Sequence, residues 1–217
     1  MQDFKREELI RQLAEGARQM SVDLSDAQIE RLIGFLALLT KWNGVYNLTA
    51  VRDPVQMVVQ HLLDSLTIVP ALGGVRNVLD VGAGGGLPGM VIAVWTAEKN
   101  PQAQVAMVDT VHKKTAFLTQ AKAELELANV TIYTSRVEQL QGQRFDAITS
   151  RAFAELKDFI NWSAHLLAED GRFIAMKGLV PHEEIERLPQ GWRVADIKPV
   201  TVPGLQAERH LITIERS

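Results

Sequence analysis

The 217-residue chain contains no cysteine. That absence removes disulfides, thiolate metal ligands and cysteine nucleophiles together. Also missing is any run of about 18 or more consecutive apolar residues, the length a helix needs to span a bilayer. The first residues, MQDFKREELIRQLAEG, alternate charge with apolar side chains where a signal peptide would carry an apolar core. A soluble, cytoplasmic protein with no membrane and no disulfide partner is the expectation. A basic excess is lacking too. With 23 Lys+Arg against 26 Asp+Glu the formal net charge is -3, so composition gives no support for a nucleic-acid partner. Neither an internal repeat nor a low-complexity tract is present.

What the chain does have is apolar content, 47%, enough for one sizeable core with a small appended element. We expect a single domain over 1–217, a monomer, with a helical extension over 1–70 and an α/β core over 76–217. In the first part Phe4, Leu9, Ile10, Leu13 and Ala17 recur at helical spacing, followed by Ser21 or Ser25 as a cap. A second helix is expected from Asp26 to Lys41, ended by Asn43-Gly44. WNGVYNLTAVRDP then reads as loop. Asp53-Pro54 reads as N-cap and first position of a third helix running to about Val69.

From Arg76 onward the pattern changes. RNVLDVG, QVAMVD, NVTIYT, FDAITS and RFIAMKG read as buried strands, separated by helical stretches at LPGMVIAVWTAEK, HKKTAFLTQAKAELEL, RVEQLQ and ELKDFINWSAHLLAE. Alternation at this spacing predicts a parallel sheet with right-handed crossovers. GWRVADIKPV and ERHLITIERS have only a short loop between them, which requires an antiparallel pair. Five strands plus this hairpin give seven, mostly parallel, the inventory of the Rossmann-like class I methyltransferase fold.

The most informative phrase is VLDVGAGGGLPGM, residues 78–90. Gly82, Gly84 and Gly86 follow a strand and precede a helix with Pro88 in its first turn, where the backbone must turn sharply against a ligand. Gly84, Gly86 and Gly89 also satisfy the GxGxxG spacing of a nicotinamide or flavin site. Against that alternative, Asp80 just before the loop suits a cofactor end carrying an ammonium and a sulfonium better than a pyrophosphate. Equally, Asp80 can simply hold its own loop through backbone N–H groups. Asp109 closes the next strand, the place for an acid that accepts from two ribose hydroxyls, with capping of the helix near His112 as the alternative. Ser135-Arg136-Val137-Glu138 after the third strand can hold an adenine.

The phrases KWNGVYNLTAVRDP, HLLDSL, LDVGAGGGLPG, VDTVHKK, SRVEQL, SRAFAELKDF, MKG and ERHLI together resemble the glucose-inhibited division protein B family, from about Leu38 to the C-terminus. The resemblance implies S-adenosylmethionine-dependent methylation of N7 of one guanine in 16S rRNA, with the RNA or the small ribosomal subunit as partner and S-adenosylhomocysteine as product. By matching motif positions it implies cofactor contacts at Gly82, Leu87, Val137, Glu138 and Arg151. One departure is Thr110, where the family phrase has serine; the hydroxyl is kept.

The type of methylation is narrowed by chemistry as well. Covalent C5 methylation of a pyrimidine needs a thiolate, and there is none. FDAITS is followed by Arg151-Ala152-Phe153 in place of an Asn-Pro-Pro-Tyr-like phrase for exocyclic amines. Scattered Asp146, Glu155 and Asp158 make a poor metal set, and no metal is expected. Guanine N7 carries a free lone pair, so no obligatory base is expected and catalysis reduces to orientation. Arg151 and Phe153, at the carboxyl end of the fourth strand, are expected to position the substrate, Phe153 having core packing as its alternative. Asn47, Thr49, His61 and Asp64 are expected at the mouth, His61 and Asp64 sharing a helix face either as support or as a surface pair. Arg52, Lys113, Lys114, Lys177, Arg209 and His210 are expected to form a basic RNA-binding rim, with Arg136 nearby. Other classes stay open at this point: a methyltransferase of small molecules or proteins, an oxidoreductase, or a non-catalytic cofactor-binding module.

Overall fold

The computed structural model describes residues 2–217, with side chains from residue 5 on; Phe4 lies outside the described side chains. Seven strands form one sheet in the order β3-β2-β1-β4-β5-β7-β6. They are β1 (Asn77–Val81), β2 (Gln104–Asp109), β3 (Val130–Thr134), β4 (Phe145–Arg151), β5 (Leu167–Lys177), β6 (Trp192–Pro199) and β7 (His210–Arg216). All pairings among β1 to β5 are parallel. β7 runs antiparallel between β5 and β6, as the short final connection requires. Successive β1 residues face opposite sides: Val78 joins the core beneath the N-terminal helices, whereas Leu79 joins a second core with Phe159 and Phe173. Both faces are covered, which explains strands that read as continuous apolar runs.

Helices α5 (Gly89–Lys99) and α6 (His112–Glu124) link the first three strands, and α1 (Gln2–Gln19) and α2 (Asp26–Tyr46) pack outside them. Leu13, Leu32 and Phe35 of this outer layer are fully buried in the same core as Val91, Phe117 and Ile174. Ser25 starts α2 through a capping box with Gln28. α2 continues to Tyr46, past the expected stop at Asn43-Gly44. Asn43 is buried in the helix and braces the following loop, its Nδ2 donating to Val51 O and its Oδ1 accepting from Thr49 N. The terminator is Asn47, in the left-handed region at φ 50°.

The third helix also departs from expectation. Asp53 stands at its N-cap without a side-chain cap bond, and α3 (Pro54–Met57) passes through a π-helical stretch (Val58–Leu63) into α4 (Asp64–Leu66). The stretch Pro54–Leu72 is apolar and long enough to cross a membrane by length and composition, yet 67% of its most apolar window is buried inside the protein. RVEQLQ supplies a single 3-10 turn, Val137–Gln139, and α7 (Leu156–Ser163) ends early because Leu167 already pairs with Phe145 as strand. A last short helix, α8 (His182–Glu186), follows β5.

Candidate active site

Among the described residues, two neighbouring cavities lie at the carboxyl ends of the parallel strands, where ligands collect in open α/β sheets. The first, about 450 Å³, is lined by Gly82 after β1, Asp109 to Val111 after β2, Lys114 of α6, Ser135 to Glu138 after β3, Ala152 and Phe153 after β4, and Trp162 of α7. The second, about 430 Å³, is lined by Gln60, His61, Asp64, Arg151, Ala152, Lys177 and Arg209 among others. Ala152 lines both, and it sits at φ 57° in the left-handed region that non-glycine residues rarely enter.

The glycine loop divides its labour. Gly82, at φ 69°, borders the first cavity, and a Cβ there would clash with the Phe153 ring. Gly86, at φ 84°, turns inward instead: its Cβ would meet Leu118 and Met90 at 2.8 Å. Gly84, at φ 54°, donates its N–H to Asp109 Oδ2 at 2.9 Å. Leu87 is buried and is absent from the first cavity's lining, so its expected cofactor contact has no side-chain counterpart here.

The two acids separate as well. Asp109 lines the first cavity, with Oδ1 accepting from Val111 N at 2.8 Å and Lys114 Nζ 3.6 Å from Oδ2. It thus ties the glycine loop to the start of α6 while facing the ligand space. Asp80 does not reach that space. It is fully buried, its Oδ2 accepts from Gly89 N at 2.8 Å, and its Oδ1 has no partner. Of the two readings of Asp80, the geometry shows the one in which it holds its own loop, and Asp80 lines neither cavity. Burial, first, pushes its carboxyl up to about 7, with Gly89 N–H and Arg151 pulling the other way.

Val137, Glu138 and Arg136 border the first cavity, as does Ser135, whose hydroxyl oxygen is buried without a partner. Two carboxylates, two basic side chains and an orphaned hydroxyl around one slot of mixed polarity fit a ligand bearing a sugar and a heterocycle. Phe153 lies over Gly82 and meets Trp162 edge to face at 5.7 Å. Its ring thus borders the first cavity.

In the second cavity Asp64 is the hub. It is buried, its Oδ2 accepting from Arg151 Nη1 at 3.1 Å and its Oδ1 from Arg209 Nε at 2.8 Å. Arg151 Nη1 also donates to Gln60 O at 3.0 Å. Gln60 lies within the π-helical stretch, at whose end Asp64 N bonds Val59 O and His61 O. His61 is buried beside Arg151, with Nε2 2.8 Å from Thr49 Oγ1. Burial, then the Arg151 charge, lowers its pKa and so favours the uncharged ring. His61 and Asp64 are not a surface pair, because the helix faces inward at both positions.

The basic residues divide between the mouths. Lys114 and Arg136 border the first cavity, Lys177 and Arg209 the second. Lys177 pairs with Glu184 at 2.9 Å, and His210 Nδ1 lies 2.7 Å from Gly178 O. Arg52 is exposed and held by Asn47 Oδ1 at 2.9 Å, and Lys113 is exposed on α6. The single rim expected from sequence is therefore two basic edges flanking Ala152, with Asn47 and Arg52 on the loop beyond α2. Trp162, Gln60 and Ala152 carried no local signal: an exposed tryptophan, a main-chain carbonyl and an alanine are recognisable only once folded.

The rRNA small subunit methyltransferase G (GidB) model matches residues 28–212. A ribosomal RNA small subunit methyltransferase G of Herminiimonas arsenicoxydans is 64% identical over 217 residues, covering all of both chains. The like-named protein of Janthinobacterium sp. is 62% identical over 100% of this chain and 99% of its own. Among solved structures, an O-methyltransferase from Bacillus cereus in complex with SAH superimposes with TM-score 0.57 at 15% identity, covering 85% of this chain and 91% of that one. The ribosomal protein L11 methylase from Lactobacillus delbrueckii subsp. bulgaricus gives 0.56 at 19%, covering 71% and 77%. The latter two likenesses show the Rossmann-like class I methyltransferase fold. With the family model spanning most of the chain and relatives matching it end to end, the protein belongs to the rRNA small subunit methyltransferase G family.

Proposed function

We propose that this enzyme transfers a methyl group from S-adenosylmethionine to N7 of one guanine of 16S rRNA, in the RNA or the small subunit, in the cytoplasm. The observation that carries the reading is the pair of cavities meeting at Ala152. One is shaped for a nucleoside-bearing donor and the other is lined by guanidinium groups. When bound, S-adenosylmethionine supplies an electrophilic methyl on a sulfonium. Asp109 is the partner for the ribose, Val137 and Glu138 for the adenine, and Gly82, packed under Phe153, borders the donor beside them. The helical layer 1–70 and the α/β part 76–217 act as one unit and as a monomer in this reading. Support for the first half comes from the single apolar core that joins Leu13 and Phe35 to Ile174.

On the acceptor side Arg151 orients the base, braced by Asp64, while Arg209, Lys177, Lys114 and Arg52 meet phosphates. Asp64 is held by two arginines, and His61, whose buried ring sits with Nε2 against Thr49, supports the site in this reading without taking a proton. That suits N7, whose in-plane lone pair attacks without deprotonation. The test is transfer of labelled methyl from S-adenosylmethionine to small-subunit RNA by the purified protein. Label is expected at one guanine and should render it sensitive to reductive strand cleavage, the signature of N7 methylation. Label at an exocyclic amine, a ribose or protein would refute it.

A further inference from the structure

We propose that Trp162 is the aromatic wall against which the donor's adenine stacks, a binding residue resting on the donor reading above. Helix α7 buries Leu156, Phe159, Ile160 and Ser163 against the sheet, whereas Trp162 lies off that face and stays 37% exposed. An indole is an expensive group to leave to water at a helix surface, having a large apolar area to bury. This one borders the first cavity and not the second. Phe153 supports it edge to face, with ring planes at 77°, and Phe153 is itself seated on Phe159.

Its end of the cavity is the heterocycle's. Helix α7 packs beside the 3-10 turn Val137–Gln139, and just beyond it His165 Nε2 lies 2.9 Å from Leu140 O, fixing this part of the chain next to the turn. Along the cavity, Gly82 and Asp109 precede Ser135 to Glu138 in strand order β1, β2, β3. A ribose on Asp109 therefore directs its base toward the turn and the indole, where stacking supplies affinity and Ser135 and Glu138 supply polar partners.

Titration calorimetry with S-adenosylhomocysteine and with adenosine, on the wild type, Trp162→Leu and Trp162→Phe, tests this. Trp162→Leu is expected to weaken both ligands by about 10-fold or more, as loss of a stacking face does, with Trp162→Phe in between. The chain has four tryptophans, and among the described residues Trp162 alone of them lines the cavity. Saturating S-adenosylhomocysteine should change the emission of the wild type and leave that of Trp162→Phe nearly unchanged, a readout that holds even if the leucine variant folds poorly. Wild-type affinity retained by Trp162→Leu, or an emission change retained by Trp162→Phe, would overturn the assignment alone. Failure of the wild type to bind S-adenosylhomocysteine would overturn the donor reading and the wall with it.

Discussion

Asp64 stands between two guanidinium groups with its side chain almost wholly out of water. Removing its charge leaves Arg151 and Arg209 facing each other, and breaking such a buried pair from one side is far more costly than breaking a surface one. Asp64→Asn is expected to lower stability by about 2 to 4 kcal/mol in urea unfolding. An unchanged midpoint would mean that the arginines find water instead. Asp109→Ala should weaken S-adenosylhomocysteine binding by about 1 to 3 kcal/mol, since charge-assisted hydrogen bonds are lost. Because Asp109 also holds Gly84 and Val111, the same variant should speed amide exchange at both; normal exchange with weakened binding would assign the whole effect to the ligand. Asp109 lines the first cavity, as an acid closing a strand beside a glycine loop suggested from sequence. Asp80 looked equally functional from its neighbours. Which carboxylate points into the ligand space depends on which face of its strand is covered by a helix start, and that is a matter of packing.

Within one loop the glycines serve two ends, and alanine substitution should separate them. Gly82→Ala places a methyl against Phe153 at a backbone conformation that alanine resists. It should reduce affinity for S-adenosylhomocysteine at least about tenfold, with strain of roughly 1 to 3 kcal/mol. Gly86→Ala places the methyl among Leu118, Met90 and Phe35, inside the core, so its main effect should be on the unfolding midpoint. Calorimetry and thermal melts on both variants decide it, and equal effects on both readouts would show the loop acting as one body. The strands and their order of polarity were readable from valine and isoleucine runs and from short connections. The ends of α2 and α7 were not, because Asn43 is retained in the helix by bonds to a loop six to eight residues ahead and Leu167 is claimed by a neighbouring strand. The π-helical stretch was illegible for the same reason: its Gln60 carbonyl accepts from Arg151, distant in sequence.

For the whole molecule, Asp80 and His61 give stability opposite slopes with pH. The raised carboxyl of Asp80 binds a proton more tightly in the folded state. Its contribution is full below its unfolded value near 3.8 and is lost as pH rises through about 7. The lowered pKa of His61 contributes above its unfolded value near 6.5 and is lost as pH falls below it. Asp80→Asn keeps an acceptor for Gly89 and removes the first slope. Its stability relative to the wild type should climb between about pH 4 and 7, by roughly 3 to 4 kcal/mol at most, then level off. A pH-independent difference would show that the buried carboxyl does not titrate there. Neither group does proton transfer in the proposed reaction, so single-turnover methylation should be nearly flat between about pH 6.5 and 8.5, and a histidine-like rise abolished by His61→Ala would contradict N7 as acceptor. The central claim is more directly open to one measurement, the mapping of N7-methylguanine along 16S rRNA from cells with and without this gene. One modified guanine is expected with the gene, lost on deletion, restored by the wild-type chain and not by Gly82→Ala; an identical N7-methylguanine map in both strains would contradict the proposed activity.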